Sequence, residues 1–116
     1  MLLTIQPASR EPLFEQLVRG IRSQIAEGTL VTGERLPPAR VLASSLDINV
    51  HTVLRAYQLL RDEGLIELRR GRGASVAAPA ERGELPRLIE QLTDESRRLG
   101  VAPATVMAMM RQELER

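Results

Sequence analysis

The sequence predicts a mainly α fold with one small β-hairpin, followed by two further helices. Three observations predict it. Between Arg35 and Val76 two short apolar-periodic segments are separated by a tight polar break. An alternating segment then ends in a basic, glycine-rich turn, and two more amphipathic stretches follow Pro79. Helix, turn, helix and hairpin in that order outline a winged helix-turn-helix over residues 1–79, with residues 80–116 forming a short two-helix tail.

Taken in order, residues 1–10 start apolar and end in a turn-like Pro-Ala-Ser, which predicts a short arm packed on the domain surface. Glu11 to Glu27 reads as the first helix. Pro12 suits its first turn, where the missing N–H costs nothing, and Gly28 suits the left-handed position after its end. Phe14, Leu17, Val18, Ile21 and Ile25 follow helical spacing and make one apolar stripe. Gly20, inside that helix, costs about 1 kcal/mol relative to Ala. A connector from Thr29 to Leu36 turns at Gly33, and Arg35-Leu36 can add a minimal strand to the later hairpin.

Pro37 and Pro38 open a second helix over about Ala39 to Leu46, with Val41, Leu42 and Leu46 facing inward. Asp47-Ile48-Asn49 breaks it, and Asn49 is a good N-cap for a third helix from Val50 to about Glu63, ended by Gly64. Val53, Ala56, Tyr57 and Leu60 share the inner face of that helix. Strands Leu65 to Leu68 and Ala74 to Ala77 then flank the turn Arg69 to Gly73, whose glycines allow positive φ and close backbone approach. Residues 80–83 are a brief linker. Leu85, Leu88, Ile89 and Leu92 mark a fourth helix stopped by Gly100, and Pro103 opens a fifth with Val106, Met107, Met110 and Leu114 on one side. Helices this short are marginal alone in water and cannot hide both stripes in each other. These eight residues are therefore the expected interface with a partner surface.

Composition narrows the class. A chain of 116 residues holds one domain, or a small domain with an appendage. Without cysteine there is no disulfide framework and no thiolate metal site. No stretch approaches the roughly 18 apolar residues of a membrane span, and no signal-like segment opens the chain, so a cytoplasmic protein is expected. The net charge of +1 hides an uneven distribution. Arg35 to Arg61 holds four Arg against the single Asp47, and Leu68 to Ala80 holds three Arg and no acid. Those patches coincide with the proposed DNA-reading elements, the two-helix motif and the hairpin, where a phosphate backbone would require them.

A helix-turn-helix presents the N-terminal residues of its second helix to base edges in the major groove. That places Val50, His51, Thr52 and Arg55 near bases or flanking phosphates. Arg can donate two hydrogen bonds to guanine, Thr can donate or accept, and Val50 can meet a thymine methyl. Arg40 is placed to meet a phosphate or base from the side. Arg70 and Arg72, beside Gly71 and Gly73 at the wing tip, can enter the adjacent minor groove. Arg35 and Asn49 complete the expected DNA-facing set. A winged-helix module that binds a protein rather than DNA is the rival reading; it would favour acidic residues on the third helix and wing, where basic ones stand. An enzyme is not expected. The only His has no evident nucleophile or carboxylate partner, Gly71-Arg72-Gly73 lies between strands rather than between strand and helix, and no metal spacing or cofactor motif occurs.

These residues carry a resemblance. Pro12 to Leu17, Gly28-Thr29-Leu30, Gly33 to Pro37, Arg40 to Ala43, Asn49 to Val53, Arg55-Ala56-Tyr57, Glu63 to Ile66 and Arg70 to Gly73 are similar, in order and spacing, to the DNA-binding domain of GntR-family bacterial transcription regulators. The Arg-Ala-Tyr triplet and two-helix tail resemble the YtrA subfamily, whose members lack a large effector domain. The resemblance implies a homodimeric repressor, paired through the tail, acting on an inverted-repeat operator often upstream of its own operon with transporter genes. Any small-molecule effector would have to bind between the tail and the DNA-binding domain. By position, Arg40 resembles the family Arg that reads DNA from the second helix, Thr52 the recognition-helix hydroxyl, and Gly71 the wing glycine. Pro38 and Asp47 stand where Ser and Gly are common. Val50 and Leu54 stand where many relatives outside the subfamily carry Arg, so base contacts there do not follow from the resemblance.

Overall fold

The computed structural model describes residues 1–79 and 83–116 of the chain. Most of the expected linker at 80–83 therefore lies outside the described residues. The element order is α1 (Leu13–Glu27), α2 (Ala39–Leu46), α3 (Val50–Asp62), β1 (Ile66–Arg69), β2 (Gly73–Val76), α4 (Leu85–Leu99) and α5 (Pro103–Leu114). The chain forms two compact units, Met1–Ala80 and Glu81–Arg116.

In the first unit α3 is the central helix, packed against α1, α2 and β1. The core takes Leu17, Val18 and Ile21 from α1, Leu42 and Ala43 from α2, and Val53, Ala56, Tyr57 and Leu60 from α3. Leu30, Leu36, Ile66, Ala74 and Val76 close it from the connector and the hairpin. The expected inner face of α3 is thus buried throughout. On α2 the phase differs from expectation: Val41 is 57% exposed and Ala43 is buried in its place. Successive residues are 100° apart on a helix, so the buried set Leu42, Ala43 and half-buried Leu46 turns Val41 outward.

The N-terminal arm packs as expected, with Met1, Leu3 and Ile5 against the core. It also passes close to Gly20, where a Cβ would stand 2.9 Å from the end of the Leu3 side chain and ask that side chain to shift. Gln16 is buried and satisfied: its Oε1 accepts from the Gln6 N–H at 2.8 Å, and its Nε2 donates to the Gln6 and Glu11 carbonyls at 3.1 and 2.8 Å. The arm is thereby tied over the start of α1. That helix begins at Leu13 rather than Glu11, because Pro12 is extended at the N-cap with ψ 147°. Pro38 does the same before α2, with ψ 143°.

Three helix ends use the same bonding scheme. After α2 the Asp47 N–H reaches the Ser44 carbonyl and the Ile48 N–H the Ala43 carbonyl; Gly64-Leu65 and Gly100-Val101 repeat the pattern after α3 and α4. This satisfies the orphan carbonyls and turns the chain sharply, with a left-handed residue at the bend. In α2 that residue is Asp47, φ 55°, where no Cβ would be cheaper.

The hairpin is antiparallel in the register Ile66↔Val76, Glu67↔Ser75, Leu68↔Ala74, Arg69↔Gly73. Both strands sit one residue off the expected ranges, leaving Arg70-Gly71-Arg72 as the turn. The connector does join the hairpin's edge. Arg35 bridges Ser75, the Gly33 N–H donates to the Val76 carbonyl at 2.8 Å, and the Val76 N–H returns to the Glu34 carbonyl at 2.9 Å.

In the second unit α4 and α5 have no buried residue. Surface pairs Arg98–Glu95 at 2.6 Å and Arg116–Glu113 at 3.1 Å run along the helices; the first holds the Glu95 carboxyl below the usual carboxylate range.

Candidate nucleic-acid interface

The start of α3 is fixed by its own sequence. The Asn49 Oδ1 accepts from the His51 N–H at 2.8 Å, filling one of the open donors of the first turn. Below it the Tyr57 hydroxyl donates to the Pro37 carbonyl at 2.6 Å, so α3 is bonded to the segment that launches α2. Burial pushes the Tyr57 pKa up to about 12. The helix therefore shows outward only His51, Leu54, Arg55 and Gln58 from its first three turns, with Val50 and Thr52 half-buried at the edges.

Arg55 does not stand free in front of the helix. Its guanidinium lies 4.1 Å from the centre of the Phe14 ring, a cation–π contact that holds the charge on the α1 side. Arg40 is exposed in the first turn of α2.

The wing carries its charge on two sides. Gly71 and Gly73 have φ of 79° and 73°, which lets three residues close the turn between Arg69 and Gly73. Arg35, Arg69 and Arg72 surround a polar recess of about 160 Å³ with Gly33, Glu67 and Ser75. On the other side Arg69 and Arg70 edge an apolar groove of about 330 Å³ lined by Ala39, Leu54 and Leu68. Glu67 pairs with Arg69 at 3.3 Å, an exposed pair worth little on its own.

The expected DNA-facing residues thus divide. Arg35 and Arg72 share the recess, Arg70 edges the groove, His51 faces outward from α3, and Arg55 is drawn toward α1. Asn49 spends its side-chain oxygen on the cap. Sequence reasoning missed Arg69 and Leu54 as parts of this surface. Strand alternation from Glu67 could have put Arg69 outside, and the helical period that sends Val53, Ala56, Tyr57 and Leu60 inward leaves Leu54 out of the core. Among the described residues no group of His, Asp and Glu suits a metal ion.

In the tail unit, Leu85, Ile89 and Leu92 of α4 face Val106, Met107, Met110 and Leu114 of α5 around an apolar hollow of about 640 Å³. Leu88 lies outside it. All of these except half-buried Val106 are exposed.

Residues 13–76 match the family described as bacterial regulatory proteins, gntR family. The HTH-type transcriptional repressor YtrA of Bacillus subtilis (strain 168) is 34% identical over 95 residues, covering 78% of this chain and 73% of that protein. Among solved structures, YtrA from Sulfolobus acidocaldarius, a GntR-family transcription factor, matches with a TM-score of 0.63 at 34% identity, over 81% of this chain and 99% of that one. The AraR DNA-binding domain, solved in complex with operator ORX1, matches with a TM-score of 0.57 at 25% identity, over 66% of this chain and 96% of that one.

Proposed function

Since the chain belongs to the gntR family of bacterial regulatory proteins, and is a transcription regulator rather than an enzyme, we propose that it acts as a homodimeric repressor of an inverted-repeat operator. Residues 1–79 bind DNA and residues 80–116 pair two copies. The observation that carries the reading is the exposed start of α3 set between arginines: Arg40 on α2 and Arg69, Arg70 and Arg72 on the wing. Double-stranded DNA carries one negative charge per roughly 1.7 Å of axis, so a helix sized for the major groove and flanked by guanidinium groups matches both its shape and its charge.

Residue roles follow from reach. Arg40 and Thr52 read base edges, with His51 beside them. Arg55, held over Phe14, contacts phosphate, and Arg70 and Arg72 grip the neighbouring minor groove. Asn49 acts through the helix it caps. Pairing rests on the apolar hollow between α4 and α5, since exposed leucine and methionine side chains of this extent mark an interaction surface. A two-fold dimer then calls for half-sites about one helical turn apart. A DNA partner places its action in the cytoplasm; among the described residues no helix is long and apolar enough to cross a membrane.

A mobility shift with the DNA upstream of its own gene, against excess scrambled duplex, tests the reading. Specific retention is expected, and Arg40→Ala is expected to weaken it by about 1–3 kcal/mol. Equal retention of scrambled DNA would refute sequence-specific binding, and unchanged affinity in the variant would remove Arg40 from the readers.

A further inference from the structure

The outer face of α3 carries polar His51 and Gln58 along its middle, and its two flanks, where Val50 and Thr52 are half-buried, differ in chemistry. On the α1 side stand Thr52 and Arg55, the latter anchored over Phe14 at 4.1 Å. On the wing side stand Val50 and, one helical turn later, Leu54. Leu54 is 41% exposed, although the core has closed without it. It forms the helix wall of the groove of about 330 Å³ shared with Ala39, Leu68 and Ala74, and the guanidinium-bearing Arg69 and Arg70 lie along that groove's edge.

The groove is apolar at its floor and positive at its rim, which suits a ligand with the opposite arrangement: an apolar group projecting from a polyanion. Neither Val50 nor Leu54 can donate or accept a hydrogen bond, so no polar base edge gains anything from meeting them. Of the groups displayed in the major groove, thymine's 5-methyl is the apolar one. We infer that Leu54, with Val50 behind it, is a specificity-determining residue that reads thymine methyl groups in each half-site. This rests on the DNA-binding reading above and adds the base it selects on the wing side of the helix.

The full-length protein is used to enrich duplexes from a random pool, and each thymine of the enriched half-site is then replaced in turn by uracil, which removes only the methyl group. At one or two positions binding is expected to fall about fourfold, the equivalent of about 0.8 kcal/mol for one buried methyl. Leu54→Ala, its folding checked by its melting temperature, is expected to bind the thymine and uracil duplexes equally at the position Leu54 reads. Uracil tolerated at every position, or a Leu54→Ala protein that still discriminates at every position where the parent does, overturns the inference and leaves DNA binding standing. Failure to enrich any sequence overturns both.

Discussion

Tyr57 ties the two helices of the turn motif together, with its ring in the core and its hydroxyl on the Pro37 carbonyl. An unfolded tyrosine ionises near pH 10, whereas this one stays neutral until about 12. Its contribution is therefore full below pH 10 and is lost as the pH climbs through 12, a change of about 3 kcal/mol. Urea unfolding between pH 9 and 12 is expected to show that decline, and Tyr57→Phe to abolish it while costing about 1 kcal/mol at neutral pH. Asp47 works in the other direction. Its left-handed backbone, φ 55°, is relieved by Asp47→Gly, which is expected to raise stability by about 1 kcal/mol in the same assay. At this scale the sequence was only partly legible. Helical period alone places Tyr57 inward, whereas the position of Arg55 depends on Phe14, forty-one residues earlier in the chain, whose ring lies beneath its guanidinium. Val41 was misplaced because an eight-residue helix offers too few apolar positions to fix its phase, and small Ala43 filled the inner place.

Elements were easier to read than side chains, because their ends are written in local chemistry. Gly28, Gly64 and Gly100 stop three helices, and Asn49 starts the second of these. Where the expected bounds slipped, as at Pro12 or in the strands, the slip was one or two residues and came from a terminus whose cap geometry the letters do not encode. The wing's tip presents Arg70 and Arg72 on a turn whose hairpin is tied at its base by the connector's bonds to Val76. If both arginines neutralise phosphates, the double variant Arg70→Ala/Arg72→Ala is expected to reduce the log–log salt dependence of operator binding by about 1.8. An unchanged slope, measured by fluorescence anisotropy across a salt series, would take the wing out of the phosphate contacts.

At the scale of the molecule, the tail's helices were legible from Pro103 and Gly100, but what covers them was not, since a periodic stripe names a face and never its partner. Ile89→Asp/Met110→Asp places two charges in the hollow shared by α4 and α5. Light scattering of the parent protein is expected to give a dimer and of this variant a monomer, with operator affinity reduced accordingly; a variant of unchanged mass would exclude the hollow as the pairing surface. Gly33 and Glu34 reach Val76, closing a loop of roughly forty residues that contains both helices of the turn motif. Closing such a loop costs entropy that only the enclosed packing can offset. In native-state hydrogen exchange the amides of Gly33 and Val76 are therefore expected to open together with the helices they enclose, as one cooperative unit, and opening of the wing base at a lower free energy than those helices would refute the coupling.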